Sequence, residues 1–329
     1  MKKILQYLFE HKTLSKDQAY QVLTDVTAGK YNEHEITAFT TVFLMRSITV
    51  DELTGFRQAL LDQSVTLDFG TNDFVDIVGT GGDGKNTFNI STLACFIVAG
   101  TGQKVVKHGN YGATSISGSS NVMEQTGYKF TNDATVLQSQ LENAGICFLH
   151  APLFHPALKS VAGMRKSLAI RTFFNMLGPL VNPAKPKYQV IGTYNNEMLR
   201  IYNYLLQQSA EHFTIVHALD GYDEISLTGD TKVTTESGDR IYSAVELGKR
   251  SVGAKDIEGG NTTEEAAKLF MNIFNGKGTW AQNAVVLANA ALALFTTQKY
   301  TTYNDAYLPA VHSLESRTAL GVHQKLVSS

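Results

Sequence analysis

The fold of this chain is decided by the stretch FVDIVGTGGDGKNTFNIST, residues 74–92. Its first five residues form a short, mostly apolar run that glycines stop, which is typical of a buried parallel strand. The glycines that follow let the backbone approach an anion and point successive amides at it. A helix predicted over residues 91–99 adds its positive N-terminal end at the same place. The stretch therefore predicts a strand, a phosphate-binding loop and a helix in succession.

Four further stretches have the composition of short strands, and helical patterns lie between most of them. The predicted strands span residues 104–107, 146–150, 188–191 and 213–218, and one intervening helix spans 134–143. Helical patterns at 264–274, 280–295 and 303–320 close the chain, and Pro309 is expected to kink or split the last of them. This alternation predicts an α/β domain with a central, mostly parallel sheet that binds ligands at the carboxyl ends of its strands.

The first part of the chain predicts a small all-helical domain. Residues 36–45 are apolar on nearly every side, which indicates a helix buried among helices or at a subunit contact. The helical domain is expected at 1–68, completed by about 159–185, and the α/β domain at 69–158 and 186–329. Three helix starts have capping-box spacing, in which two residues satisfy each other's free amides: Ser15 with Gln18, Asn32 with Glu35, and Thr49 with Glu52.

The bulk composition excludes several classes of protein. With 43% hydrophobic and 18% charged residues and a net charge of -2, the chain has no global basic character that would indicate nucleic-acid binding. No apolar stretch reaches the roughly 18 residues that span a bilayer, and the N-terminus does not resemble a signal peptide. The sequence thus predicts a cytoplasmic protein. Cys95 and Cys147 lie in apolar runs and are expected to be buried free thiols.

Two other phosphate motifs nearly fit the glycine loop. The pattern G-x-G-x-x-G of dinucleotide-binding folds starts at Gly79, but the next strand ends in Lys107, where that motif needs an acidic residue. Residues 79–85 also fit most of the P-loop pattern, but Asn86 stands where the magnesium-binding hydroxyl belongs. For this loop taken alone, a glycine-rich turn without a ligand remains an alternative.

A second anion-binding element follows the next strand. Lys107 supplies a point charge, and the small polar run TSISGSSN, residues 114–121, offers free amides and hydroxyls at a helix start. Such a run is by itself usually a flexible turn. Because the two loops follow consecutive strands of one sheet, however, they should converge on one pocket. A ligand with two separate phosphate groups suits that arrangement.

Acidic and basic side chains complete the candidate site. Adjacent Asp223 and Glu224 follow the strand at 213–218 and can hold Mg²⁺, which binds one or two carboxylates plus substrate oxygens. A solvated acidic turn is the alternative, but a departing diphosphate needs its charge neutralised. Arg165 is suited to a bidentate grip on a carboxylate, and residues 173–180 beyond it offer an apolar wall.

Taken in order, these motifs resemble those of the anthranilate phosphoribosyltransferases, whose fold is shared with the pyrimidine nucleoside phosphorylases. The resemblance covers nearly the whole chain and implies transfer of the phosphoribosyl group of 5-phosphoribosyl diphosphate to anthranilate in tryptophan biosynthesis. It also implies Mg²⁺ as cofactor and a homodimer formed through the helical domain. The matching motifs are G-T-G-G-D at 79–83, N-I-S-T at 89–92, K-H-G-N at 107–110, S-G-S at 117–119, H-P at 155–156, N-x-L-G-P-L-x-N-P at 175–183 and D-G-x-D-E at 220–224.

The resemblance also assigns roles to individual residues, and no protein nucleophile is among them. The residues expected to bind phosphoribosyl diphosphate, with Lys107 stabilising the leaving group, are Gly79, Thr80, Gly81, Gly82, Asp83, Thr87, Asn89, Ile90, Ser91, Thr92, Lys107 and Ser119. Those expected to line the anthranilate site, with Arg165 on the substrate carboxylate, are Gly79, His108, Asn110, Arg165, Gly178 and Pro179. Those expected to hold Mg²⁺ are Ser91, Asp223 and Glu224.

The chain departs from the family pattern at two positions. The family usually has Arg after K-H-G-N and Lys two residues before the glycine of S-G-S, and here these positions hold Tyr111 and Ile116. The candidates to replace the missing charges are Lys85, Lys107 and Lys129.

Two rival functions have weaker support. A pyrimidine nucleoside phosphorylase would have G-G-T-x-D where this chain has SGSSN at 117–121. A nucleic-acid-binding member of the same fold would have a basic surface, and the net charge of -2 argues against it.

Overall fold

The computed structural model describes residues 1–112, 115–168 and 170–329. The chain divides into two compact units. The helical unit comprises Met1–Leu67 and Ala151–Pro183, where the sequence predicts 1–68 completed by 159–185. The sheet unit comprises Asp68–His150 and Ala184–Ser329. Thr114, the first residue of the predicted small polar run, lies outside the described residues.

The secondary structure follows the predicted alternation of strands and helices. The strands are β1 Val75–Gly79, β2 Val105–Gly109, β3 Ile146–His150, β4 Tyr188–Gly192, β5 His212–Ala218, β6 Thr231–Thr235 and β7 Gly238–Tyr242. The helices are α1 Lys2–Phe9, α2 Lys16–Thr27, α3 Glu33–Met45, α4 Val50–Asp62, α5 Ile90–Gly100, α6 Ser119–Gln125, α7 Ala134–Asn143, α8 Ala151–Phe154, α9 Lys159–Leu168, α10 Phe173–Leu177, α11 Asn196–Leu206, α12 Ala244–Gly248, α13 Thr263–Phe274, α14 Trp280–Thr296, α15 Tyr303–Glu315 and α16 Thr318–Val327. Short 3-10 turns lie at Pro156–Leu158, Gly178–Leu180 and Ala254–Ile257.

The helical unit packs around a cluster of aromatic rings. All three predicted capping boxes are present at the starts of α2, α3 and α4. Phe39, Phe43 and Phe56 meet edge to face, and Phe173 of the return segment stacks on Phe56 with ring centroids 4.6 Å apart. Because aromatic side chains bury large apolar areas, this contact explains why the first helices need the return segment to complete their core.

The sheet unit is built on seven strands in the order β3-β2-β1-β4-β5-β6-β7. Strands β1 to β5 pair in parallel, and β6 and β7 add antiparallel pairs at one edge. The predicted mostly parallel sheet is therefore confirmed. The hairpin of β6 and β7 was not predicted, because its polar sequences TKVTT and GDRIY lack the apolar run that marks a buried strand.

Of the kink or split expected at Pro309, the split does not occur there. This proline lies inside α15, which continues past it, and the break before α16 falls at Arg317, where φ is 63°. Proline removes only one helical hydrogen bond, and its buried neighbours Ala306 and Ala310 keep the helix packed. Both cysteines are buried free thiols, as predicted. Within the described residues, every helix is too short or too polar to cross a membrane.

Candidate active site

The carboxyl ends of β1 and β4 meet the acidic turn that follows β5. The Gly81 N–H donates a hydrogen bond to Asp223 Oδ2 at 2.7 Å. Gly79 and Gly192 end the two strands, and each faces Asp223. A methyl group added at Gly79 would overlap the Asp223 carboxylate, and one added at Gly192 would overlap the Asp223 carbonyl oxygen. Because glycine has no side chain, the backbone at both positions leaves space for the acidic turn.

The second acidic residue contacts the helix that follows the glycine loop. Glu224 Oε1 accepts a hydrogen bond from the Ser91 N–H at 2.8 Å, in the first turn of α5. Free amides and the helix dipole make that position favourable for negative charge. The glycine loop, the start of α5 and the acidic turn thus form one corner of the sheet unit.

Acidic side chains are concentrated in this corner. Burial, followed by the charge of Asp83, raises the pKa of Asp223, and burial, followed by the charge of Asp223, raises the pKa of Glu224. The amide donors Gly81 and Ser91 oppose these shifts without cancelling them. A divalent cation would relieve the repulsion, and oxygen donors suit a hard cation such as Mg²⁺. The residues therefore fit a magnesium site.

The donor set is small enough to leave room for substrate. Among the residues that the structure describes, no group of three or more His, Cys, Asp or Glu side chains is arranged to hold a metal. Mg²⁺ is usually bound by one or two carboxylates together with substrate phosphates rather than by an all-protein cage. Asp223 and Glu224 match that pattern.

Lys107 lies in the interior, against β1. Its side chain is only 2% exposed, and its ammonium donates to the Ile77 carbonyl at 2.6 Å, two residues before the glycine loop. The neighbouring His108 is 3% exposed, and its N–H donates to Asp76 Oδ1 at 3.3 Å. The sheet thus holds a buried cation close to the glycine loop rather than on an exposed surface.

The small polar run after β2 is closed by one side chain. Asn121 Oδ1 accepts hydrogen bonds from the N–H groups of Gly112 and Gly118, each at 2.9 Å. The carbonyl of Asn110, before the loop, accepts from Ser119 Oγ at 3.4 Å. These bonds hold together the two ends of the loop that carries the predicted ligands Asn110 and Ser119.

The two predicted anion-binding loops converge. Asn89, directly before α5, donates from Nδ2 to the Ser117 carbonyl at 3.0 Å. Ser117 belongs to the polar run after β2, so this bond joins the first loop to the second. The structure therefore brings together the segments on which the predicted phosphoribosyl diphosphate site depends.

The remaining predicted ligands in the glycine segment are also placed. Thr80 N–H donates to the Gly192 carbonyl at 3.0 Å, and its buried Oγ1 has no hydrogen-bond partner among the residues that the structure describes. Thr87 forms an isolated antiparallel bridge with Glu258. Thr92 is 1% exposed, and the Ile90 N–H is already used by the Phe88 carbonyl at 2.6 Å. The Thr80 hydroxyl thus has spare hydrogen-bonding capacity.

The positions that depart from the family pattern carry no charge towards the site. Tyr111 is 40% exposed, and its hydroxyl donates to Glu124 Oε1 at 3.3 Å. Ile116 is 42% exposed. Lys85, one of the candidates to replace the missing charges, is half-buried. Its ammonium lies 4.6 Å from the ring centroid of Tyr222, the residue that directly precedes Asp223. Lys129 is exposed after α6.

Three residues predicted to line the anthranilate site belong to the helical unit. Arg165 lies in α9, with its guanidinium 5.6 Å from the ring centroid of Phe174. Burial lowers the pKa of Arg165, which stays charged at neutral pH because its usual value is far above 7. Gly178 and Pro179 form a 3-10 turn in the same unit. Gly79, His108 and Asn110 belong to the sheet unit.

Two contributors to the site were missed in the sequence. Gly192 and Asn289 support the acidic turn without belonging to a recognised motif, whereas Asn121 belongs to the predicted polar run but was given no role of its own. A detectable pattern exists only for Asn289, an amide within the apolar helix α14, because a polar side chain in such a helix must find a buried partner.

Comparison with known proteins agrees with this architecture. The model of the glycosyl transferase family a/b domain matches residues 71–320, and that of the helical bundle domain matches residues 2–64. Anthranilate phosphoribosyltransferases of Flavobacterium johnsoniae and Bacteroides thetaiotaomicron are 53% and 54% identical over 326 and 327 residues. Each alignment covers 99% of this chain and 98% of the relative.

Solved structures extend the likeness to three dimensions. The crystal structure of anthranilate phosphoribosyltransferase from Thermus thermophilus matches with a TM-score of 0.92 at 29% identity, covering 98% of both chains. The Saccharomyces cerevisiae enzyme, in complex with phosphoribosyl diphosphate and Mg, has the same fold, with a TM-score of 0.88 at 24% identity, covering 96% of this chain and 93% of that chain. The chain therefore belongs to the anthranilate phosphoribosyltransferase family.

Proposed function

We propose that the protein transfers the phosphoribosyl group of 5-phosphoribosyl diphosphate to the amine of anthranilate. The products are N-(5-phosphoribosyl)anthranilate and diphosphate, in the tryptophan pathway. One observation carries this proposal: the glycine loop contacts both other parts of the site. Asn89 links it to the polar loop, and Asp223 links it to the acidic turn. Such a corner suits a sugar that carries phosphate at one end and a metal-bound diphosphate at the other.

We further propose that Mg²⁺ is the cofactor, held by Asp223, Glu224 and the hydroxyl of Ser91. When bound, the cation neutralises charge on the diphosphate leaving group. The Ser91 N–H donates to Glu224 Oε1 at 2.8 Å, and Asp223 directly precedes Glu224, so the three residues are neighbours in this corner. The complex of the Saccharomyces cerevisiae enzyme with phosphoribosyl diphosphate and Mg supports Mg²⁺ as the cofactor.

The protein's own groups bind and orient the two substrates. An aromatic amine is already neutral at pH 7, so its lone pair needs little help from a general base. The difficult step is loss of diphosphate from ribose C1, which leaves oxocarbenium-like charge on the sugar. Amides of the glycine loop and the ammonium of Lys107 supply positive potential for the departing charge, while binding aligns the amine. No protein nucleophile takes part.

Anthranilate fluorescence provides the direct test of this function. Purified protein with phosphoribosyl diphosphate and MgCl₂ is expected to remove the fluorescence, with one diphosphate released for each anthranilate consumed. Unchanged fluorescence with all components present would contradict the proposal. Retention of DNA at moderate salt, without loss of fluorescence, would support the nucleic-acid-binding alternative instead.

Replacing Arg165 with alanine should weaken anthranilate binding selectively. A charge-assisted bidentate hydrogen bond contributes about 1.5–3 kcal/mol, so the KM for anthranilate should rise roughly 10- to 100-fold. The KM for phosphoribosyl diphosphate and kcat should change little. Steady-state kinetics measure both, with exposed Lys166→Ala in the same helix as the control. A defect confined to the phosphoribosyl donor would refute this role of Arg165.

Replacing Lys85 with methionine should weaken binding of the phosphoribosyl donor. We propose that Lys85 supplies charge that the family usually carries at positions 111 and 116, since its ammonium lies beside the acidic turn. Methionine keeps the packing on Tyr222 and removes the charge. Loss of a charge interaction worth roughly 1.4 kcal/mol weakens binding tenfold, so the KM for phosphoribosyl diphosphate should rise about tenfold. Lys85→Arg should retain activity. A loss with Lys129→Met but not with Lys85→Met would assign the role to Lys129.

We propose a cytoplasmic homodimer formed through the helical unit. Phe9, Leu44 and Met45 of this unit are 62%, 42% and 84% exposed, although each is apolar. They lie on α1 and α3, which contact each other, and exposed apolar side chains on neighbouring helices favour a protein contact. Light scattering should give about twice the chain mass of 36.0 kDa, and a monomer at micromolar concentration would contradict the proposal.

A further inference from the structure

A buried amide in α14 holds the backbone next to the acidic pair. Asn289 is 7% exposed and lies in the otherwise apolar run 284–294. Its Oδ1 accepts from the Ile225 N–H at 3.1 Å, and its Nδ2 donates to the Ile225 carbonyl at 2.9 Å. Nδ2 also donates to the Val285 carbonyl within the helix at 2.9 Å. One side chain thus pairs both backbone groups of the residue that follows Glu224.

The acidic turn depends on contacts of this kind. Residues 219–230 connect β5 to β6 and belong to no helix or strand, so no regular ladder of hydrogen bonds fixes their backbone. Ile225 is fully buried, and backbone groups buried without partners are costly. The Asn289 amide supplies to Ile225 the two bonds that a neighbouring strand would supply.

The geometry points to Asn289 as a positioning residue for the metal-binding carboxylates. This inference rests on the proposed function, in which Asp223 and Glu224 hold Mg²⁺. On one side of the turn, Gly192 leaves room for the Asp223 carbonyl. On the other side, Asn289 fixes Ile225, so the two acidic side chains between these contacts are held facing Gly81 and Ser91.

The fixed orientation of the two carboxylates opposes their mutual repulsion. Two adjacent carboxylates directed into one corner repel each other when both are ionised, so a turn whose backbone was not held would be free to turn one of them towards solvent. By holding the backbone, Asn289 keeps both carboxylates directed inward before the cation arrives. Residues that orient metal ligands in this way typically change metal affinity or activity 10- to 100-fold when they are replaced.

The test compares two polar residues of the same helix. Asn289→Leu removes the amide at similar volume. Thr296→Val is the matched control, because Thr296 is also 7% exposed in α14 and bonds Thr214 Oγ1 at 2.7 Å, away from the acidic turn. For each variant, thermal unfolding is followed with a fixed concentration of phosphoribosyl diphosphate while MgCl₂ is titrated. Steady-state KM values are measured for both substrates at saturating MgCl₂.

Asn289→Leu should raise the MgCl₂ concentration at half of the thermal shift by about 10- to 100-fold. The KM for anthranilate should stay unchanged. Thr296→Val should lower the unfolding temperature yet keep the wild-type MgCl₂ dependence. If Asn289→Leu does not fold, Asn289→Ala carries the same prediction, because the smaller side chain lets water reach the Ile225 backbone.

Two outcomes would overturn the inference. One is an Asn289 variant whose MgCl₂ dependence lies within twofold of the wild-type value. The other is an equal shift in Thr296→Val, which would show that loss of stability alone moves the readout. If the wild-type protein itself shows no MgCl₂-dependent shift with phosphoribosyl diphosphate, the proposed function fails rather than the role of Asn289.

Discussion

Replacing Asp223 with asparagine and Glu224 with glutamine together is expected to abolish phosphoribosyl transfer while the fold persists. Positioned charges that stabilise a departing group contribute several kcal/mol, so kcat/KM should fall by on the order of 10³ or more. Each amide side chain keeps an oxygen that can accept the hydrogen bond from Gly81 or Ser91. The substitution therefore removes the charges and preserves the local geometry.

Unfolding measurements separate this result from a folding defect. Because both pKa values are raised in the folded protein, the metal-free wild type should lose stability as the pH rises through those values. The amide variant should not show this loss, and it should also lose the stabilisation by MgCl₂ with phosphoribosyl diphosphate. Asp230→Asn, an exposed change in the same connection, is the control and should resemble the wild type. Activity retained by the double amide variant would remove the metal assignment.

Replacing Gly192 with alanine should damage the site without touching a substrate-binding group. The added methyl group would overlap the Asp223 carbonyl oxygen, a backbone atom that cannot rotate away. Overpacking of this kind costs about 1–3 kcal/mol of folding free energy. Since a displacement of roughly 1 Å can cost about 100-fold in rate, kcat/KM should fall by about that factor. Denaturant unfolding and steady-state kinetics measure the two effects.

Gly321→Ala is the matched control for this change. Gly321 lies within α16, and a methyl group added there meets no heavy atom within 4 Å. Replacing glycine by alanine inside a helix should stabilise the protein by about 0.5–1 kcal/mol and leave activity unchanged. If Gly192→Ala also left activity and stability undiminished, the close approach of β4 to the acidic turn would not be needed for function.

The parts of the fold that depend on local patterns could be predicted from the sequence. Short apolar runs that alternate with helical patterns indicated the five parallel strands, and the capping pairs marked the starts of α2, α3 and α4. The polar hairpin of β6 and β7 was not predicted, because pairing with β5, rather than composition, places these residues in the sheet. Likewise, Pro309 could not be judged without the burial of its neighbours.

The same distinction between local patterns and tertiary contacts applies to the candidate site. Gly81, Asp223 and Glu224 were recognisable because their chemistry is evident from residue type and order along the chain. Gly192 and Asn289 were not, because each contributes through a contact with the acidic turn from a distant part of the chain. Supporting contacts of this kind carry no motif of their own. Their partners follow only from the tertiary structure, although an amide within an apolar helix, such as Asn289 in α14, indicates that a buried partner exists.

The glycine loop, the polar loop and the acidic turn should form one cradle for a metal-bound phosphoribosyl diphosphate, and the proposed chemistry depends on that cradle. Anomalous diffraction from crystals grown with MnCl₂ and phosphoribosyl diphosphate tests it most directly. We expect a manganese peak within bonding distance of Asp223 or Glu224, with diphosphate density against the amides of residues 79–83. A manganese peak elsewhere, or diphosphate density away from the glycine loop, would contradict the cradle.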